Sequence, residues 1–138
     1  MADVNEEQRR DRVDELMVQL ARGRVALGVT AFLAPGAVAR ALGAGAGADP
    51  GRDLMTRIFA GREIALGAGY LLSKGQGRAT WARLGLAVDV LDAVAAMKSR
   101  KPRGGAKGVP LWAAGAFSAV AAGAAGLGAA KVARDLTG

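Results

Sequence analysis

Residues 109–130 form an uninterrupted run of twenty-two residues without a charged side chain, and the first charge after it is Lys131. A helix needs about 20 consecutive apolar residues to cross the hydrocarbon core of a bilayer, so this run is predicted to be a transmembrane helix. Gly115, Ala119 and Gly123 recur within it at a spacing of four. Small residues at this spacing let helices approach closely in lipid, although an Ala- and Gly-rich composition also produces the pattern by chance.

Three further apolar segments of similar length precede this run, at residues 25–42, 54–73 and 79–97. The chain has 21 Gly and is 51% hydrophobic but only 4% aromatic. Small side chains bury little area each, at about 25 cal/mol per Å², so a water-soluble core built from them is weak. We therefore predict an all-α fold, a membrane helical bundle of about four transmembrane helices over residues 23–138.

Residues 1–22 are polar and are predicted to form an amphipathic helix before the first span. Val13, Met17 and Leu20 recur at helical spacing among acidic and basic residues. This helix is expected to lie on a membrane surface or against a partner, or to be a solvated extension of the first span. Because the segment contains no apolar stretch, no cleavable secretory signal is expected.

Membrane topology is less sharply constrained than the number of spans. Pro35 interrupts the 25–42 segment and lacks a backbone donor, so a kink or a re-entrant bend is expected there. With four full spans, residues 1–22, the turn at 74–78 and the C-terminus share one side, opposite the basic loop at 98–108. Basic segments favour the cytoplasm, and a re-entrant first segment would place both the Arg-rich N-terminal segment and the basic loop there.

Five of the charged residues within the predicted second and third spans form a candidate intramembrane cluster, and a charge at mid-bilayer costs about 2.5 to 3.5 kcal/mol on insertion scales. Arg62 is expected to pair with Asp89 or Asp92, which share one face of the third span because they are three residues apart. Gly85 extends that face and favours close helix contact. Arg57 is the candidate partner for the other aspartate. The five residues are Arg57, Arg62, Glu63, Asp89 and Asp92.

Three interpretations of these intramembrane charges are compatible with the sequence. In the first, they form a buried electrostatic clamp that fixes the register of the second and third spans. In the second, Glu63, Asp89 and Asp92 form a proton or ion relay or a polar binding pocket, as intramembrane carboxylates do in pumps and transporters. In the third, they face opposite charges on a partner subunit.

Composition argues against several classes of function. The chain has no Cys and no His, which removes disulfides, thiol nucleophiles, imidazole bases and the usual zinc ligands. The Gly-rich residues 43–51 are not followed by Gly-Lys-Ser/Thr and do not form a phosphate-binding loop. The net charge of +7 suits nucleic acid, but the basic residues lie mainly at the edges of apolar segments, as membrane anchors do. We expect no enzymatic activity, no cofactor or metal, and no nucleic-acid partner.

Two motifs resemble those of small actinobacterial integral membrane proteins of unknown function. They are R-I-F-A-G-R-E-I-A-L-G at residues 57–67 and D-V-L-D-A at residues 89–93. Those proteins have four predicted helices, with a G-A-R-D-x-x-L-G type motif on the second and a D-x-x-D-A type motif on the third. Glu63 stands where Asp is commoner, which keeps the carboxylate and lengthens its reach. The resemblance covers most of the chain and implies a membrane location and a shared role for Arg62, Glu63, Asp89 and Asp92.

Two hypotheses of function follow. The first is a non-catalytic accessory or structural subunit of a plasma-membrane complex, whose basic loop and N-terminal helix contact other proteins or anionic lipid headgroups. The second is a small proton- or ion-coupled transporter, alone or as a homo-oligomer, with Glu63, Asp89 and Asp92 as titrating groups. A soluble basic protein that binds nucleic acid is disfavoured by the uncharged run at residues 109–130.

Overall fold

The computed structural model describes residues 1–42, 45, 47–98 and 126–137. Five helices account for most of them: α1 (Ala2–Leu33), α2 (Pro35–Ala41), α3 (Pro50–Leu72), α4 (Gly75–Lys98) and α5 (residues 126–137). The described chain contains no strand, and the predicted all-α fold class is confirmed. Most of the run at residues 109–130, including Gly115, Ala119 and Gly123, lies outside the described residues, as does the basic loop beyond Lys98.

Among the described helices, one is long and apolar enough to cross a membrane, over Asp3–Leu33. Length and composition alone are weak evidence, because the core helix of a soluble protein or an N-terminal signal sequence has the same properties. Both α3 and α4 are more than twenty residues long, but each carries three charged side chains in its apolar part. These are Arg57, Arg62 and Glu63 in α3, and Arg83, Asp89 and Asp92 in α4.

α1 continues without interruption from Ala2 to Leu33, so the predicted boundary between a polar segment at 1–22 and the first span falls inside one helix. Between α1 and α2, the Ala34 backbone N–H donates to the Thr30 carbonyl at 2.9 Å. Pro35, which has no N–H, is the first residue of α2, a position where its missing donor costs nothing. The interruption expected at Pro35 is therefore a break between two helices.

α1 and α3 pack antiparallel through two reciprocal contacts between small residues. Gly28 lies against Ala60, and Gly67 lies against Ala21. A Cβ added at Gly28 would stand 2.7 Å from the Ala60 carbonyl oxygen, and one at Gly67 would stand 2.5 Å from that of Ala21. On each helix the two contact residues are seven positions apart, about two helical turns. The two backbones therefore approach each other directly at both contacts.

α3 and α4 form a hairpin joined at Ser73 and Lys74. Gly75 begins α4 with a φ of +51°, in the left-handed region that favours glycine. Beside the turn, the indole of Trp81 lies over Gly69, where an added Cβ would overlap the ring. The absence of a side chain at Gly69 therefore lets the hairpin close around the tryptophan.

α5 packs on the bundle at the end where the hairpin turns. Gly128 lies over the side chain of Leu86 in α4. Arg134 donates to the Asp14 carboxylate at 2.6 Å and to the Arg10 carbonyl at 3.2 Å. The first turns of α4, the polar part of α1 and the C-terminal helix line one common cleft, so these three parts of the chain meet at one end of the bundle.

The distribution of buried and exposed residues departs from that of a water-soluble helical protein, which buries mostly large aliphatic and aromatic residues and leaves charges outside. Among the described residues, eight hydrophobic side chains are buried, and five of them are alanines: Ala21, Ala31, Ala39, Ala60 and Ala82. The buried charged residues are Glu63 and Asp89. By contrast, eighteen large hydrophobic side chains are exposed, among them Phe32, Ile58 and Leu91.

Gly67→Ala is expected to destabilise the protein by about 1–3 kcal/mol, because the added methyl group meets the Ala21 carbonyl. Gly61→Ala on the same helix is the matched control, since an added Cβ there has nothing within 4 Å. The control should be neutral or gain up to about 1 kcal/mol from helix propensity. Thermal unfolding in mild detergent, followed by circular dichroism, measures both variants. Equal midpoints would contradict the close contact of α1 with α3.

Candidate functional site

Arg24 of α1 binds one carboxylate from α3 and one from α4. Its Nη1 donates to Glu63 Oε2 at 2.7 Å, and its Nη2 donates to both oxygens of Asp89 at 2.6 and 2.5 Å. All three side chains are at most 10% exposed. A single guanidinium therefore connects three helices in the interior of the bundle.

The small residues of α1 and α3 bring these charged groups within reach of each other. Arg24 stands between Ala21 and Gly28 on α1, and Glu63 stands between Ala60 and Gly67 on α3. The two helix backbones are in contact on both sides of this pair, at Gly28–Ala60 and at Gly67–Ala21. The side chains of Arg24 and Glu63 are therefore close enough to form a short ion pair. Gly85 of α4 is buried next to the Arg24 guanidinium, and a Cβ added at Gly85 would lie 4.0 Å from Arg24 Nη2.

Arg62 and Asp92 form a second ion pair, between α3 and α4. The two guanidinium nitrogens donate to the two carboxylate oxygens at 2.9 and 2.7 Å, a bidentate geometry that adds strength and direction. The Arg62 guanidinium also lies 4.8 Å from the centre of the Phe59 ring and 3.5 Å from Glu63 Oε1. Side-chain exposures of 33% for Arg62 and 22% for Asp92 show that this pair is partly accessible.

Together the two ion pairs form one alternating network, in the order Asp89, Arg24, Glu63, Arg62, Asp92. Three carboxylates and two guanidinium groups give it a net charge of −1 when all five groups are ionised. The network is buried at its Asp89 end and more exposed at its Asp92 end. We refer to these five residues as the ion-pair network.

Arg57 is not part of the network. It was predicted to pair with whichever aspartate Arg62 leaves free, but that aspartate is Asp89, and its partner is Arg24. Arg57 is exposed and lies beside a surface depression that also contains Asp53. Its position is five residues before Arg62, which is about 140° around the helix. The two arginines therefore point in different directions, and only Arg62 reaches α4.

Arg24 was missed because it lies at the edge of the first apolar segment, where a basic residue is ordinarily an interfacial anchor. A signal was nevertheless present in its spacing. Met17, Ala21, Gly28 and Ala31 are buried at intervals of three, four and seven residues along α1, and Arg24 occupies the position that completes this stripe.

A cavity of about 20 Å³ lies against the buried end of the network, with Arg24, Tyr70 and Asp89 in its wall. The hydroxyl of Tyr70 is buried and has no hydrogen-bond partner within the described part of the chain. A cavity of this size has room for about one water molecule. It is too small for an organic substrate.

The carboxylates of the network are engaged by guanidinium groups and are not arranged as metal ligands. Within the described ranges, no group of three or more Asp, Glu, His or Cys side chains is placed to hold a metal ion. The chemical capacity of the site is therefore electrostatic: it orients helices, and its surplus negative charge can attract a proton or a small cation.

Comparisons with protein-family models, with curated proteins and with solved structures find no match for this chain. Function is therefore inferred from the ion-pair network and from the surfaces around it.

Arg24→Leu is expected to lower the free energy of unfolding in detergent by about 3 kcal/mol, because Asp89 then stays buried without its cation and Glu63 keeps only the 3.5 Å contact with Arg62. Arg22→Leu, at an exposed position of the same helix, is the matched control and should change stability little. Adding Glu63→Gln and Asp89→Asn to Arg24→Leu should recover part of the loss, since no buried charge then lacks a partner. If Arg24→Leu and Arg22→Leu unfold alike, the network does not hold the helices together.

Proposed function

We propose that the chain is a small multi-pass protein of the plasma membrane, with about four spanning helices. We propose further that it acts as a non-catalytic accessory or structural subunit of a membrane complex. The observation that carries this proposal is the distribution of side chains, with Arg24, Glu63 and Asp89 in the interior of the bundle and eighteen large hydrophobic side chains exposed among the described residues.

Lipid is the solvent that suits such an exterior. Phe32 on α1, Ile58 on α3 and Leu91 on α4 are each close to half exposed or more, and large apolar surfaces of this kind mark contact with a membrane or another protein. An interior of Ala and Gly likewise suits helices in lipid, whose association depends on close backbone approach.

The charges of α3 and α4 are compatible with spanning helices because most of them are paired inside the bundle. Arg62, Glu63, Asp89 and Asp92 all belong to the ion-pair network. Charged residues within membrane proteins characteristically face the bundle interior and pair with one another. The two remaining charges in the apolar parts of these helices, Arg57 and Arg83, are exposed, and long arginine side chains can extend to the interface.

A structural role is favoured over a catalytic one by the state of the network. Each of its carboxylates has an arginine partner, and the cavity beside it has room for one water molecule and no substrate. Such a clamp fixes how three helices are placed, and with them the apolar outer faces. Those faces are then available to lipid and to a partner subunit or a second copy of the chain.

A small proton- or ion-coupled transporter is the alternative, and one observation favours it. The network carries one more carboxylate than guanidinium groups, and Asp89, one of its two buried carboxylates, lines a water-sized cavity together with Tyr70. An intramembrane carboxylate next to a hydrated space is the arrangement that proton relays use. In this case the protein would act alone or as a homo-oligomer.

Purification of the tagged, full-length protein from its native membranes tests the proposal. We expect the protein to resist extraction with alkaline carbonate, and to carry a stoichiometric partner when purified in mild detergent and analysed by mass spectrometry. A similarly sized, unrelated membrane protein with the same tag is the control for non-specific capture. Release by carbonate would contradict the membrane assignment. Purification as a homo-oligomer without a partner would contradict the accessory role and favour the transporter.

A further inference from the structure

The end of the bundle where α1, α4 and α5 meet contains an open polar cleft of about 660 Å³. The cleft lies between the polar first half of α1, the first turns of α4 and the last turns of α5. We call it the basic cleft, after its charged lining residues, which are Arg10, Asp14, Arg78, Arg83, Lys131, Arg134 and Asp135.

Positive charge is in excess within the basic cleft. Its lining has five cationic side chains and two carboxylates, which gives a net charge of +3. Lys131 lies 3.1 Å from both Asp14 and Asp135, and Arg134 lies 2.6 Å from Asp14. The two carboxylates are therefore already engaged by these two cations. Arg10, Arg78 and Arg83 form no ion pair with any described residue, so their charge is available to an external anion.

Arg78 is held in place at the wall of the cleft. Its guanidinium lies 5.1 Å from the centre of the Tyr70 ring, a cation–π contact that restricts the side chain. Its Nε is buried and has no hydrogen-bond partner within the part of the chain that the structure describes. A planar guanidinium is the group best suited to bidentate binding of a phosphate.

The start of α4 adds to this positive field. Gly75, Gln76 and Ala79 line the same cleft, and the N-terminal end of a helix carries partial positive charge and free backbone N–H groups. The helix terminus and the unpaired arginines therefore act on the same space.

The ion pairs that shape the cleft are maintained at neutral pH. Asp14 belongs to the polar part of α1, outside the apolar segments. Burial raises its pKa, but hydrogen bonds from Arg134 and Lys131 outweigh this effect and leave the pKa below its ordinary value of 3.8. The stabilisation from these pairs is therefore fully present above pH 3.8 and is lost only as the pH falls through the lower pKa of the folded state.

We propose that the basic cleft binds the phosphate of an anionic phospholipid headgroup. The inference depends on the proposed membrane location, because the cleft then lies where the apolar segments end, next to the uncharged run that stops at Ala130. Headgroup phosphates lie at that level, and each Lys or Arg near an anionic surface contributes about 1 kcal/mol of attraction. The apolar outer faces of the helices suit the acyl chains.

Thermal unfolding of the full-length protein in neutral detergent, titrated with short-chain phospholipids, tests the proposal. We expect phosphatidylglycerol to raise the unfolding midpoint more than phosphatidylcholine does. The variant Arg78→Gln/Arg83→Gln should need about thirtyfold more phosphatidylglycerol for the same shift. The control Arg12→Gln/Arg57→Gln removes the same charge from exposed positions outside the cleft and should respond like the wild type.

Four outcomes would contradict the proposal. Equal shifts with the two lipids, or equal losses in the two variants, would show that the cleft does not select anionic headgroups. An equal shift with inorganic phosphate would assign the cleft to a free anion, and cleft-dependent binding of a short oligonucleotide would assign it to nucleic acid. Resistance to carbonate extraction is measured separately, so failure of the cleft proposal is distinguishable from failure of the membrane assignment.

Discussion

The guanidinium of Arg24 on α1 lies between Glu63 of α3 and Asp89 of α4. These contacts fix the positions of the three helices along one another. Removing a charge from water costs several kcal/mol, and the cost is recovered only where partners are close and well oriented. Here the partners are within 2.7 Å. Any shift of α1 along α3, or of α4 relative to both, would separate them, so the ion pairs select one arrangement of the bundle.

The small residues and the ion pairs depend on each other. An interior of Ala and Gly buries little apolar area and could pack in several registers, since one small residue resembles another. Arg24 and Glu63 distinguish these registers, because they meet only when Ala21 lies against Gly67 and Gly28 lies against Ala60. Conversely, the close backbones make the short ion pair possible. Many of the large hydrophobic residues are directed outward instead, and this is the arrangement on which the proposed membrane location rests.

The helical fold and four of the five residues of the ion-pair network could be predicted from the sequence. The fifth residue, Arg24, could not, because its role depends on which helices pack against each other. Periodicity and apolar runs indicated the helices, and the chemistry of proline indicated the break before Pro35. Of the two pairings suggested for Arg62, with Asp89 or with Asp92, the structure has the one with Asp92. The sequence could not show that α1 packs on the Glu63 face of α3, because that choice depends on which small residues meet. Arg24 was missed for this reason, and Arg57 was assigned in its place.

The central claim is that large hydrophobic side chains of α1, α3 and α4 face lipid while the charged residues face inward. The chain has no native cysteine, so spin labels can be attached to single cysteines replacing Phe32, Ile58, Leu91, the buried Ala60 and the exposed Gln8 in reconstituted bilayers. Collision rates with oxygen and with a water-soluble nickel complex measure contact with lipid and water, respectively. The account predicts high oxygen and low nickel accessibility at Phe32, Ile58 and Leu91, low values of both at Ala60, and high nickel accessibility at Gln8. High nickel accessibility at Ile58 and Leu91 would show that these faces are in water and would contradict the account.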